Sequence, residues 1–349
     1  MSKLPNTMHA VQMIGHGGYE MLQYSETVAI PSPKPDQVLI RVKAAGVNNT
    51  DINTRIGWYS KGDNQAEDAS WSGEALKLPR VQGADICGEI VAVGGKIDAN
   101  RIGQRVLVEP CLSQVEGSRP KIPWYIGSEC DGGFAQYAVV DSVHAYHINS
   151  SLSDVELASF PCSYSTAENM LTRARVSQDD RVLISGASGG VGSAAIQLAK
   201  ARGAYVIAIT SPSKSDHVKA LGADQTVSRT DLLPEVLGHN SIDVVIDLVA
   251  GDAWPQFLDV LRHKGRYAVS GAIGGAMVNL DVRTLYLKDL SFFGCTVLEP
   301  EVFQNLVNRI ESNHIKPIVA RTFALKEIQA AQEFFLAKSH VGKVVLTVE

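Results

Sequence analysis

Two stretches of this chain gather side chains that could do chemistry. The first is "GVNNTDINTRIGWY", residues 46–59, where Asn48, Asp51, Arg55 and Tyr59 crowd behind the strand-like run "QVLIRVKAAGV". Amides and phenols there can hold a substrate oxygen, and the segment has neither Cys nor His, the usual ligands of catalytic zinc. The second is "VLISGASGGVGSAAIQLA", residues 182–199, in which a strand ends at Gly186 and Gly189, Gly190 and Gly192 open a helix. Small residues let the backbone approach a pyrophosphate, whose charge the helix N-terminus favours. Ala187 stands in place of the first glycine of the usual pattern, but strand, loop, helix and second strand follow in the required order. The loop Gly186, Ala187, Ser188, Gly189, Gly190, Val191 and Gly192 is therefore expected to bind a dinucleotide. The alternative is a tight strand–helix turn with no ligand.

The second strand, "AYVIAIT", ends in "SPSKSDH". A unit that binds NAD usually places a carboxylate there for the ribose hydroxyls. This chain offers Ser211, Ser213 and Lys214, which suit a 2′-phosphate, so NADP(H) is the expected cofactor; Asp216 falls later and reads as a helix N-terminal carboxylate.

The elements that must position these residues fall into two textures. Residues 1–150 carry short β-like runs separated by Gly, Pro and Asn, interrupted by two polar stretches at 60–79 and 112–131. Such long irregular segments often border sites. From about 155, Val- and Ile-rich strands alternate with amphipathic helices, which predicts a doubly wound parallel sheet covered on both faces. "AWPQFLDVLRHKG" reads as one of the helices, and 300–349 adds two helices and a closing strand "KVVLTVE". The fold class is α/β, with a mostly β domain over 1–150 completed by 298–349 and a dinucleotide-binding domain over 151–297.

At 349 residues and a net charge of −5, the chain has ample core and no basic surplus for nucleic acid or an anionic membrane. The opening residues lack the apolar core of a signal peptide, and a soluble cytoplasmic protein is expected. The five cysteines are dispersed, with no C-x-x-C, and read as reduced thiols. His144 and His147 would lie on opposite faces of a strand and read as ordinary histidines.

The order of β-rich domain, Rossmann unit and short return resembles the medium-chain dehydrogenase/reductase superfamily. The likeness spans almost the whole chain and rests on "GASGGVG", "GVNNTDINTRIGWY", "GADICGEIVAVG", "DGGFAQYAVV" and the closing "GKVVL". It implies a GroES-like catalytic domain beside the Rossmann domain. Zinc members of the superfamily carry Cys in G-x-C-x-x-D, His-Glu after a glycine, and a later Cys. Here Asn48, then Ala84 and Asp85, replace the first two, and only Cys162 survives, so no metal site is expected. Cys111 and Cys130 are all that remains of a structural zinc lobe. The first stretch is similar instead to the zinc-free quinone oxidoreductase (zeta-crystallin-like) branch.

Without a Lewis acid, an acceptor must be electrophilic by its own conjugation. The resemblance thus implies NADPH-dependent reduction of a quinone or an activated C=C bond. Asn48 and Tyr59 are the candidate catalytic residues, positioning the substrate and stabilising its oxygen. Thr166 is expected at the cofactor, as are Ser270, Gly271 and Ala272 beyond the fifth Rossmann strand. Asn48 as a turn cap and Asp51–Arg55 as a helical ion pair are the structural readings. The insert 60–79, with Trp71, and Trp58 before it, could narrow the pocket. "LSFFGCTV", residues 290–297, is expected to pair subunits into a homodimer or tetramer. Two other readings stay open: an alcohol dehydrogenase with atypical zinc ligands, and a crystallin-like protein that binds NADPH without turnover.

Overall fold

The computed structural model describes residues 4–60, 70–72 and 75–349. The first strands are β1 (Thr7–Met13), β2 (Leu22–Ala29) and β3 (Gln37–Val47), with helix α1 (Asn49–Arg55) at the end of β3. Next come β4 (Arg80–Val81), β5 (Cys87–Val93), β6 (Arg105–Val108), β7 (Cys111–Leu112), β8 (Trp124–Tyr125), β9 (Tyr137–Asp141) and β10 (Ala145–His147). Helices α2 (Asp154–Leu157) and α3 (Pro161–Arg173) lead to β11 (Arg181–Ile184), α4 (Gly190–Ala201), β12 (Tyr205–Thr210), β13 (Gln225–Ser228), β14 (Ile242–Asp247), β15 (Leu261–Val269) and β16 (Ser291–Gly294). The chain closes with β17 (Val319–Ala324), a helix over Ile328–Leu336 and β18 (Lys343–Thr347). These residues sort into two compact units, Met1–Cys162 with Pro317–Glu349, and Ser163–Lys316.

The first unit is built on β3. A sheet runs in the order β10-β6-β5-β3-β18-β17, and β9 also pairs with β3. The sequence reads β3 as half-buried, yet almost all of its eleven residues are buried. The reason is its company: β5, β9 and β18 all hydrogen-bond to it, so neither edge is left to water, and core side chains cover its faces. Val38, Ile40, Val42, Ile90, Val108 and Leu346 fill the core around it, and each such aliphatic contributes about 1.5–3 kcal/mol by leaving water. Antiparallel pairing of β18 sets Val344 against Val47, so the last strand of the chain begins beside the start of α1.

The second unit has one parallel sheet in the order β13-β12-β11-β14-β15-β16. Its central strands are continuous apolar runs; every residue of β14 is buried, as expected for a sheet covered on both faces. The helix read over "AWPQFLDVLRHKG" stops early: it spans Trp254–Val260, and Leu261 already pairs with Ile242 in the sheet. A register shift then carries the chain through Lys264, at φ +61°, to Arg266 opposite Val244. Pairing with β14 outweighs local helical periodicity there. Among the described residues no helix is long and apolar enough to cross a membrane.

Candidate active site

The polar cluster starts where β3 ends. Asn48 has extended backbone (φ −130°, ψ 162°) and caps α1, while the Asp51 carboxylate reaches back to accept the Asn48 N–H at 2.8 Å. That is one arm of a capping box, and it satisfies a helix-end donor. The cap reading of Asn48 is therefore part of its role. Its side chain is 5% exposed and fully engaged: Nδ2 donates to Asp85 Oδ2 at 2.8 Å and to the Gly46 carbonyl at 3.4 Å, and Oδ1 accepts from Lys343 Nζ.

The expected Asp51–Arg55 ion pair does not form. Arg55 Nε donates to Gln332 Oε1 at 3.0 Å and Nη1 to the Gly17 carbonyl at 2.7 Å, with the guanidinium 4.6 Å from the centre of the Tyr19 ring. Long-range partners that fit its planar fork outcompete a helical neighbour.

Asp85 is the hub. It is wholly buried, with Oδ1 accepting from the Cys162 N–H and Oδ2 lying 2.8 Å from Lys343 Nζ. Gly46 leaves the space it needs, because a Cβ there would meet Asp85 Oδ2 at 2.3 Å. Lys343 is 3% exposed. Burial pushes the Asp51 carboxyl up to about 7, opposed by the Asn48 N–H and reinforced by the Asp85 charge. The Cys162 thiol is pushed up to about 12, first by burial and then by Asp85, and Tyr125 Oη sits 3.1 Å from its sulfur.

A zinc ion needs three deprotonated ligands and room among them. Here one thiol is held protonated by its surroundings, an amide and a carboxylate face an ammonium, and among the described residues no group of three or more His, Cys, Asp or Glu is placed to hold a metal ion. The donor set does not fit zinc.

The exposed rim of the cluster carries hydroxyls. Tyr59 is half-buried and donates to Thr50 Oγ1 at 3.2 Å, and burial raises its phenol above the usual value, so it stays protonated through neutral pH. Trp71 stacks on Tyr125 with ring centres 5.3 Å apart. Its backbone N–H donates to Ser128 Oγ, while Glu129 accepts from the N–H groups of both Ser72 and Tyr125. Tyr125 of the second polar stretch thus reaches Cys162, and Trp71 of the first stacks on it; residues 61–69 and 73–74 of the first lie outside the described residues. His144 is a packed histidine, 2.7 Å from Glu109, and His147 is exposed.

In the second unit the glycine loop is tightly folded. Gly186 has φ +57°, and a Cβ on Gly192 would meet the Gly186 carbonyl at 2.3 Å, so the loop packs tightly against the first turn of α4. Ala187 is buried, Ser188 and Val191 are partly open, and Gly189 is exposed. Asp247, wholly buried at the end of β14, accepts from Ser185 Oγ, the Val249 N–H and the Tyr267 hydroxyl, and so ties the glycine loop to the β14 turn. Ser270, Gly271 and Ala272 are partly exposed just past β15, with the Ser270 N–H on the Asp247 carbonyl, and Thr166 is partly exposed on α3.

A pocket of about 320 Å³ opens at the ends of β12 and β13, lined by Thr210, Ser211, Ser215, Thr226 and Ser228. Thr210 Oγ1 is buried there without a hydrogen-bond partner. Arg229, anchored by its N–H on the Thr210 carbonyl, is close enough that its charge, after partial burial, lowers the Lys214 pKa. Sequence reasoning missed Arg229, Thr50, Tyr125, Asp247 and above all Lys343; the closing "GKVVL" was its only trace.

The buried carboxyl gives a test by pH. Because folding raises Asp51 from its ordinary 3.8 to about 7, the folded state binds the proton more tightly. Its contribution is full below about pH 4 and is lost as pH rises through 7, by ~1.4 kcal/mol per unit. Asp51→Asn, neutral throughout, should gain stability relative to the wild type across that window. Parallel denaturation midpoints for the two proteins at every pH would contradict this.

With this geometry in hand, the comparisons with known proteins agree on family. Residues 34–150 match the alcohol dehydrogenase GroES-like domain, and 190–312 match the zinc-binding dehydrogenase domain. The quinone oxidoreductase of Pongo abelii is 30% identical over 353 positions, covering 97% of each chain. A candidate alcohol dehydrogenase from Sinorhizobium meliloti 1021 superposes with a TM-score of 0.93 at 42% identity, over 100% of this chain and 99% of that one. The cobalt- and zinc-bound thermostable alcohol dehydrogenase of Pyrobaculum aerophilum gives 0.82 at 30% identity, over 97% and 99%. This chain, with its GroES-like domain and Rossmann-like parallel sheet, belongs to the medium-chain dehydrogenase/reductase superfamily, in the quinone oxidoreductase branch.

Proposed function

We propose that the protein is a zinc-independent, NADPH-dependent reductase of quinones or of activated C=C bonds such as those of enals and enones. The observation that carries the reading is the donor set around Asp85: an ammonium, an amide and a protonated thiol stand where a Lewis acid would have to be. A simple ketone depends on strong polarisation of its oxygen, which a Lewis acid would supply; a conjugated acceptor depends on it less. NADPH, when bound, supplies the hydride. Tyr59 and Thr50 are the hydroxyls open to a substrate oxygen, and Tyr59, kept protonated, is the group that can hold or protonate it. Asn48 lines the site and is held in one orientation by Asp85 and Lys343, so its role is to fix the wall behind the substrate. The kinship to the Pongo abelii quinone oxidoreductase supports this reading. The metal-bound Pyrobaculum aerophilum relative favours the second one, a zinc alcohol dehydrogenase.

NADPH oxidation should be seen with naphthoquinone and conjugated enals and not with simple ketones. Tyr59→Phe should lower turnover by on the order of 10²-fold while leaving NADPH affinity unchanged. Equal turnover would remove Tyr59 from the mechanism, and chelator-sensitive oxidation of simple alcohols would favour the zinc reading.

Ser211, Lys214 and Arg229 around a hydroxyl-lined pocket support NADPH over NADH. A lost charge-assisted contact to a 2′-phosphate costs about 1.5–3 kcal/mol. Lys214→Ala should therefore raise the KM for NADPH by roughly 10- to 100-fold and leave that for NADH unchanged; equal effects on both would contradict it.

The edge position of β16, with Phe292 partly exposed and Tyr286 and Leu287 exposed near it, fits a second copy extending the sheet, in a protein working free in the cytoplasm. Light scattering should give at least twice the single-chain mass of 37.5 kDa; the single-chain mass itself would contradict a dimer.

A further inference from the structure

We propose that His144 is a pH-sensitive latch in the first unit: its neutral imidazole holds the backbone of Gln114, at the start of the segment that carries Tyr125, and protonation of the ring releases it. The latch is independent of the reductase reading.

The tautomer follows from the partners. The ring is 2% exposed and both of its nitrogens are engaged. Nδ1 lies 2.7 Å from Glu109 Oε2, and an ionised carboxylate only accepts, so Nδ1 carries the proton. Nε2 lies 3.0 Å from the Gln114 backbone nitrogen, whose N–H only donates, so Nε2 presents its lone pair. A neutral imidazole meets both demands with one proton. An imidazolium donates from both nitrogens, so a second proton would set N–H against N–H and leave the Gln114 N–H without its acceptor.

The latched segment runs from β7 to β8. Gln114 lies two residues beyond Leu112 of β7, β7 pairs with β8, and Tyr125 of β8 has its Oη 3.1 Å from Cys162 Sγ. A second anchor uses no imidazole. Asp141 accepts from Gln114 Nε2 at 3.1 Å and from the N–H groups of Glu116 and Gly117 at 2.8 and 2.7 Å. Protonation of His144 therefore frees the Gln114 end and leaves the 116–117 end tied, which is a local opening and not an unfolding.

Charged groups on every side bear on that proton. The Glu109 carboxylate, just past β6, favours the imidazolium, as does Asp141 from β9. Arg101 opposes it, donating to the Ser142 and Ala145 carbonyls on either side of His144 in the chain. Tyr146 of β10 is raised by burial first and by the Glu109 charge second. Glu116 is paired with Lys34, and Asp36, whose carbonyl accepts the Ser142 N–H, is paired with Lys96. Were the proton to settle on Glu109 instead, Nε2 would keep its lone pair and the latch would hold.

Amide hydrogen exchange resolved to single residues, expressed as protection factors from about pH 8 to about pH 5, tests the latch. In the wild type the protection of the Gln114 N–H should fall by about tenfold, the worth of one hydrogen bond, while that of Glu116 and Gly117 stays constant. Glu109→Gln, which keeps an acceptor for Nδ1 and removes the charge, should move the fall to lower pH by about 1–3 units. His144→Gln, which has no proton to gain, should make Gln114 protection independent of pH. If neither variant folds, the side-chain nitrogen signals of wild-type His144 decide, and should show Nδ1–H alone at the upper pH and both nitrogens protonated at the lower. Constant protection of Gln114, a fall shared by Glu116 and Gly117, a transition unmoved in Glu109→Gln, or a ring that stays neutral overturns the proposal.

Discussion

A lysine ammonium beneath a protein surface must take a carboxylate down with it, and in the first unit that constraint organises everything else. Lys343 and Asp85 are both buried almost completely, and removing one partner of such a pair typically costs about 3–5 kcal/mol because the other is left unpaired. The pair needs β18 beside β3, which the antiparallel register supplies. It needs Gly46, since a side chain there would collide with Asp85. It also leaves little freedom to Asn48, whose amide is divided between the two charges. Desolvation that raises Asp51 to about 7 and Cys162 to about 12 follows from the same enclosure and keeps the thiol protonated near neutral pH. In the proposed reaction the donors would be the hydroxyls at the rim, Tyr59 and Thr50.

The second unit solves a separate problem by similar means. A single buried carboxylate, Asp247, accepts from a serine hydroxyl, backbone N–H groups and a tyrosine hydroxyl, fixing the turns that follow β11 and β14. The glycine loop then needs only the absence of side chains at Gly186 and Gly192. Hydroxyls at the ends of β12 and β13, with Lys214 and Arg229 close by, make an environment without a carboxylate among the pocket-lining residues.

What could be read from the sequence is what depends on neighbours along the chain. The strand–loop–helix order around Gly186–Gly192 is local, and so is the alternation that marks the parallel sheet. That Asn48, Ala84 and Asp85 differ from the zinc-ligand types of the superfamily was visible once the family resemblance set the alignment. What replaced them was not visible, because Lys343 lies 295 positions from Asn48 and nothing in its own strand marks it as buried. The same separation explains Arg55, which looked like a partner for Asp51 four residues away and instead bonds Gln332, 277 positions on. The early stop of the helix at Val260 has a third cause: Leu261 gains a sheet partner in Ile242 that no helical periodicity reveals.

On the proposed reading this oxidoreductase works without a bound metal, its candidate site ordered by the buried Lys343–Asp85 pair. Elemental analysis of protein from zinc-replete cells, paired with its NADPH–quinone reductase rate before and after dialysis against a chelator, tests it most directly. No stoichiometric zinc and an unchanged rate are expected. Zinc at one ion per chain, with activity lost on dialysis and restored by zinc, would contradict it.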